Sequence, residues 1–142
     1  KCVESSPRTV KVSAKSLIAF DSGDDVNNNV EIIGVLGSQL DSWSRTFWKN
    51  DPPYVQVDVG ETYDIGKTHY YRDVGDWQDI SVKGTLREYD FDGPVDDDYL
   101  GYKKKSLNVG ELYHDGTTKI VHLEWYDRKY NKIKALFSIE VN

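Results

Sequence analysis

An antiparallel β-sandwich is the fold class this sequence predicts, and three observations predict it. Short segments of alternating apolar and polar residues recur along the chain, turn-forming residues separate them at fairly regular spacing, and no segment carries a sustained helical period. Tyrosine, valine, isoleucine and threonine fill these segments while methionine is absent, a composition that suits pleated strands. The expected unit is all-β, with about eight strands. At 142 residues the chain has the length of one domain able to bury a core without disulfide staples. We read 1–8 as an N-terminal tail and 9–142 as that single domain.

The elements follow in order. Thr9 to Phe20 alternates at Val10 and Val12, ends in an apolar run, and stops at the turn-rich stretch from Asp21 to Asn29. Val30 to Leu36 is a second strand, with Gly34 marking a bulge or a close approach. Ser44 to Trp48 and Tyr54 to Val59 both read as extended. Asn50-Asp51-Pro52-Pro53 lies between them, and because proline cannot donate to a ladder we expect a turn or edge interruption and two strands. Gly60 to Gly66 reads as a turn region, Lys67 to Arg72 as extended, and Asp73 to Asp79 as a surface loop. Ile80 to Tyr89 alternates at Ile80, Val82 and Leu86, runs into the acidic stretch Asp90 to Asp98, and gives way to an extended pattern from Tyr99 to Val109. Lys119 to Tyr126 and Ile133 to Val141 alternate at period two around a polar loop, a closing hairpin. Helix is expected as no more than a single turn.

Composition then narrows function. A formal net charge of −6 argues against a general nucleic-acid binder, since phosphate backbones are held by a surplus of lysine and arginine. No stretch reaches the roughly 18 apolar residues of a membrane span. Cys2 is the one cysteine, so no intrachain disulfide forms. It reads as an unpaired tail thiol; an anchoring or processing role is the alternative.

Two acidic clusters stand out, Asp21-Ser22-Gly23-Asp24-Asp25 and Asp90-Phe91-Asp92-Gly93-Pro94-Val95-Asp96-Asp97-Asp98, each directly after a strand. Two unit charges about 4 Å apart at an effective dielectric of about 20 repel by roughly 4 kcal/mol, so carboxylates crowded in one loop must splay into water or share a cation. Hard oxygen ligands in flexible loops suit Ca²⁺, whereas zinc wants histidines or thiolates that are not clustered here. Aspartate and glycine are also what ordinary turns are made of, the plain reading of the first cluster.

The second cluster has a more specific form: Asp90, one residue, Asp92, five residues, Asp98, one residue, then Leu100-Gly101. It resembles the third calcium-binding loop of C2 domains. Ala14 to Leu17 leading into Asp21 and Gly23 resembles, more loosely, the strand and loop that supply first ligands. The chain departs from the family where Asn27-Asn28-Asn29-Val30 stands in place of an aspartate before a proline-aromatic-valine strand start. The resemblance implies an eight-stranded C2-like sandwich holding Ca²⁺ between loops at one end. It assigns Asp90, Asp92 and Asp98 as ligands, Asp21 as the best first-loop ligand, Asp24 and Asp25 as weaker ones, and leaves Asp96 and Asp97 to solvent. It further implies a module that attaches a protein to a phospholipid or cell surface, with Phe91, Val95 and Tyr99 entering the interface. By analogy alone, such a module is the targeting domain of a larger secreted or pore-forming protein. An extracellular location is expected, where millimolar calcium fills weak sites.

Other constellations are weaker. Of the four tryptophans, Trp125 sits in a well-alternating strand and belongs to the core, while Trp77 in a polar loop is the one to contact a ligand. Asp73, Asp76 and Asp79 neighbour the acidic-loop end only if their loop reaches it. Lys103-Lys104-Lys105 reads as a charged edge first and an anionic-lipid contact second. His69, His114 and His122 share no metal-ligand spacing, and loop aspartates do not specify the paired acids of a glycosidase, so the reading is a non-enzymatic binding module. Two alternatives stay open: a carbohydrate-binding module in which calcium is structural, and a structural or adhesion domain that binds no metal.

Overall fold

Period-two alternation sends every second side chain of a strand to one face, and two sheets built this way close on a shared core. The structure, a computed structural model, describes residues 7–21, 29–88, 98–126 and 132–142. Among them are β1 (Arg8–Asp21), β2 (Asn29–Leu40), β3 (Trp43–Asp58), β4 (Thr62–Val74), β5 (Asp79–Glu88), β6 (Asp98–Asn108), α1 (Val109–Asp115), β7 (Lys119–Tyr126) and β8 (Lys132–Val141). One sheet has the order β4-β1-β8-β7 and the other β3-β2-β5-β6, with every ladder antiparallel. The expected sandwich is the observed one.

The inner faces supply the core. Val10, Val12, Leu17, Trp125, Ile133, Phe137 and Ile139 come from the first sheet, and Ile32, Leu36, Ile80, Val82 and Leu86 from the second, all fully buried. Trp125 is buried as its strand pattern predicts, and its indole N–H donates to the Gly101 carbonyl at 2.9 Å, so the largest core side chain leaves no polar atom unpaired.

Three expectations change. The interruption at Asn50 to Pro53 does not end a strand. β3 runs through it, and the register steps from Ile32↔Val55 to Gly34↔Asn50, so the extra residues are carried as a bulge on the outermost strand of the sheet, where a missing N–H costs no ladder bond. The close approach expected at Gly34 is real: a Cβ there would collide with the Thr85 carbonyl of β5. β4 begins at Thr62, inside the stretch read as a turn. Finally α1 follows β6 as a helix of seven residues. Asn108 caps it by accepting from the Glu111 N–H at 3.0 Å, and Gly116 ends it in the left-handed region at φ 70°.

This topology sorts the connections into two ends. The register pairs Asp21 with Lys132, Asn29 with Asp58, Ile18 with Thr62, and Glu88 with Asp98. The strand ends flanking segments 22–28, 59–61, 89–97 and 127–131 therefore meet at one end, the loop end. The β2–β3 and β4–β5 turns and α1 lie at the other, the turn end, where Leu40 pairs with Ile80 and Asp79 with Asn108. The ten residues of β5 separate the two ends by about 30 Å at a rise of about 3.3 Å per residue.

Candidate functional site

Backbone placement assembles the loop end. β1 crosses from one sheet to the other through 22–28 and enters β2, whose Ile32 pairs with Glu88 at the end of β5. The two acidic sequence clusters are thus attached to neighbouring strands. Asp21 closes β1, and Asp98 opens β6 directly opposite Glu88. Of the residues the sequence nominates, Asp24, Asp25, Asp90, Phe91, Asp92 and Val95 lie outside the described residues. Asp21, Asp98 and Tyr99 are placed by their strands at this end, Tyr99 opposite Arg87.

The structure adds members the sequence did not nominate. The short connection from β3 to β4 folds onto β1: Gly60 donates its N–H to the Ala19 carbonyl at 2.8 Å, and Ala19 and Val59 form a parallel bridge. This brings Asp58 and Glu61, both exposed, to the same end, Asp58 opposite Asn29. The signal for them was the acid-glycine-acid run Asp58-Val59-Gly60-Glu61. On the outer face beside the loops, the Lys134 ammonium sits 4.7 Å over the Phe20 ring and 3.3 Å from the Glu124 carboxylate, which also accepts from the Tyr126 hydroxyl. That bond favours the neutral phenol, and the Tyr126 pKa rises chiefly because of it. Phe20 and Tyr126 are exposed aromatics immediately before loops, which alternation alone marks only as outward-facing.

Among the described residues no three histidine, cysteine, aspartate or glutamate side chains converge into a metal cage. What the described part supplies is a rim of carboxylate-bearing strand ends around the two segments that carry the nominated ligands.

Trp77 is elsewhere. It stands at the β4–β5 turn, at the turn end, together with Asp73, Asp76 and Asp79, so none of these four neighbours the acidic loops. Asp76 is engaged in structure, its carboxylate 3.0 Å from the Arg8 guanidinium, which also lies 3.5 Å over the Tyr113 ring of α1. The Asp76 hydrogen bond is the main cause of the raised Arg8 pKa. The Asp76 carbonyl accepts from Asn108 and from the Gly110 N–H, each at 3.1 Å, and the Asp41 carboxylate accepts from Gln78 at 2.8 Å and from the Asp79 N–H at 3.2 Å.

His69 has no part in a metal site either. Its Nε2–H donates to the Thr46 carbonyl at 3.2 Å, which leaves Nδ1 to accept from the Ser38 hydroxyl at 2.8 Å, and the Ser38 oxygen accepts from the Tyr71 hydroxyl at 2.6 Å. The ring stacks on Phe47 at 3.9 Å. Burial, then the nearby Arg45, lowers the His69 pKa, and burial raises that of Tyr71. This chain of bonds ties β2, β3 and β4 together across the sandwich edge.

Solved structures give the architecture its place. The chain aligns over 97% of its length, and over 96% of the other's, with the C2A domain of plant extended synaptotagmin 1, at 12% identity and a TM-score of 0.50. It aligns over 99% of its length with a C2 domain-containing protein, covering 93% of that chain at 13% identity and a TM-score of 0.50. The chain folds as a C2-like domain. No family model and no curated protein matches its sequence. At such identities the likeness carries the fold, and what this C2-like domain binds has to be argued from its own residues.

Proposed function

We propose that this C2-like domain is a calcium-dependent module that attaches the protein bearing it to a phospholipid surface. The observation that carries the proposal is the register: it brings the strand ends of both acidic segments to one end, sets Asp98 opposite Glu88, and adds Asp58 and Glu61 to the same rim. Such an end repels an anionic membrane until a cation occupies it. Calcium shared by Asp90, Asp92, Asp98 and Asp21 reverses the local charge and leaves open coordination positions for lipid phosphate oxygens. Phe91, Val95 and Tyr99, with the exposed Phe20 and Tyr126 at the rim, then supply apolar and amphipathic contact at the lipid interface. No helix among the described residues is long and apolar enough to cross a membrane. Millimolar calcium outside cells suits a site of this kind, and an extracellular setting is part of the proposal.

Co-sedimentation with phosphatidylserine vesicles tests it. Binding is expected in millimolar calcium and lost in EGTA, and Asp90→Asn with Asp92→Asn should remove it. Vesicle binding that ignores both chelator and the double substitution contradicts the proposal.

A further inference from the structure

The turn end presents a second feature that the loop-end function does not use. Trp77 is 82% exposed at the apex of the β4–β5 turn, and Trp43, 57% exposed, leads from the adjacent β2–β3 turn. Large exposed indoles are uncommon where packing alone decides, and these two stand on turns that are joined. The Asp41 carboxylate of one turn accepts from Gln78 and from the Asp79 N–H of the other.

The Trp77 ring also has a backbone neighbour on its turn. It lies against Gly75, where a Cβ would fall 2.2 to 2.5 Å from three ring atoms, so only glycine leaves room for the indole there. The turn is closed by the Gly75 N–H donating to the Gln78 side chain at 2.7 Å and the Gln78 N–H donating to the Gly75 carbonyl at 3.1 Å. A preorganised aromatic face with few torsions to freeze is the economical form of a recognition element. Trp43 is braced in its turn, edge-on to Tyr71 at 5.2 Å with the Arg45 guanidinium 5.6 Å over its ring.

The chemistry around the two rings selects the ligand. Asp41, Asp76, Asp79 and Glu111 outnumber the cations beside the rings, where Arg45 lies over Trp43, Lys83 is bonded to Gln39 and Ser44, and Arg8 is committed to Asp76, so anionic headgroups gain little. A neutral hydroxylated ligand does not depend on those cations. The Asp41 carboxylate offers about four lone-pair sites and uses two of them on Gln78 and Asp79, which leaves acceptor capacity beside the indoles for sugar hydroxyls. We propose that the turn end is a carbohydrate-binding surface, taking a neutral oligosaccharide by stacking a ring on Trp77, and that it works without calcium. It stands one β5 length, about 30 Å, from the strand ends that carry the acidic segments, and is independent of the function proposed for them.

The experiment is a tryptophan-fluorescence titration of the whole chain with neutral cello-, xylo-, manno- and chito-oligosaccharides, in EDTA and in millimolar calcium. At least one series should shift the emission saturably and equally in both buffers. Trp77→Ala should weaken that binding about tenfold or more with an unchanged thermal melt, and Trp77→Phe should retain part of it. The pair Asp90→Asn and Asp92→Asn, which tests the loop end, should leave sugar binding intact. The proposal is overturned if no oligosaccharide binds at millimolar concentration, if Trp77→Ala binds as well as the unaltered chain, or if chelation or the loop-end pair abolishes binding.

Discussion

The two ends of this sandwich use acidic residues in opposite ways. At the turn end each described carboxylate that matters has a donor: Asp76 has Arg8, and Asp41 has Gln78 and a backbone N–H, so acids there hold turns in place. At the loop end acids are gathered by the backbone: the register sets position 98 opposite Glu88 and brings Asp58 and Glu61 to the same rim, with Lys132 opposite Asp21 and Lys134 beside Glu124. Under the proposed function, a cation balances the acids gathered there.

Substitutions sharpen that contrast. The largest effect is expected from the polar chain on the turn-side half of the sandwich. Ser38→Ala leaves His69 Nδ1 and the Tyr71 hydroxyl without their buried partner and should cost about 2 kcal/mol in a urea melt. The same network sets a pH dependence. His69 takes a proton less readily folded than unfolded, so stability is whole above the unfolded value of 6.5 and declines as pH falls through it toward the lower folded-state pKa. Urea midpoints at pH 7.5 and 5.5, read with and without His69→Gln, should show a fall in the parent and a smaller one in the variant. Asp41→Ala, which frees one side-chain donor and one backbone donor, should destabilise by about 1 kcal/mol. Removing an acid at the loop end should act in the other direction: Asp98→Asn, which takes one charge out of the run Asp96-Asp97-Asp98, should raise the melting temperature slightly when measured without calcium, an effect of a few tenths of a kcal/mol. A drop there instead would break the contrast.

Much of the fold was legible because burial is one-sided. β5, β7 and β8 place their large apolar residues mostly at every second position, since one face of each meets the core, and their boundaries read almost directly. α1 was missed because its seven residues lie beyond the reach of periodicity, although Asn108, Glu111 and Gly116 carried its capping signature. The reading of β3 mattered more. Splitting it at Pro52-Pro53 adds a strand, and in an up-and-down antiparallel chain one extra strand exchanges the ends of every later connection. With two strands there, the acidic segments fall at opposite ends and Trp77 joins the first of them. The single bulged β3 brings the acidic segments together and sends Trp77, with Asp73, Asp76 and Asp79, to the far end. Asp58 and Glu61 were overlooked because a short turn shows no cluster in sequence, and only its fold against Ala19 gives it company.

Calorimetric titration of the metal-stripped chain with calcium chloride, with a thermal melt alongside, tests the central claim most directly. The account predicts saturable binding and a raised melting temperature, since a ligand taken by the native state stabilises it by about 2.7 kcal/mol at a hundredfold excess over Kd. Both should vanish in the variant carrying Asp90→Asn and Asp92→Asn. Silence at millimolar calcium, or an undiminished response in that variant, would contradict a calcium site at the loop end.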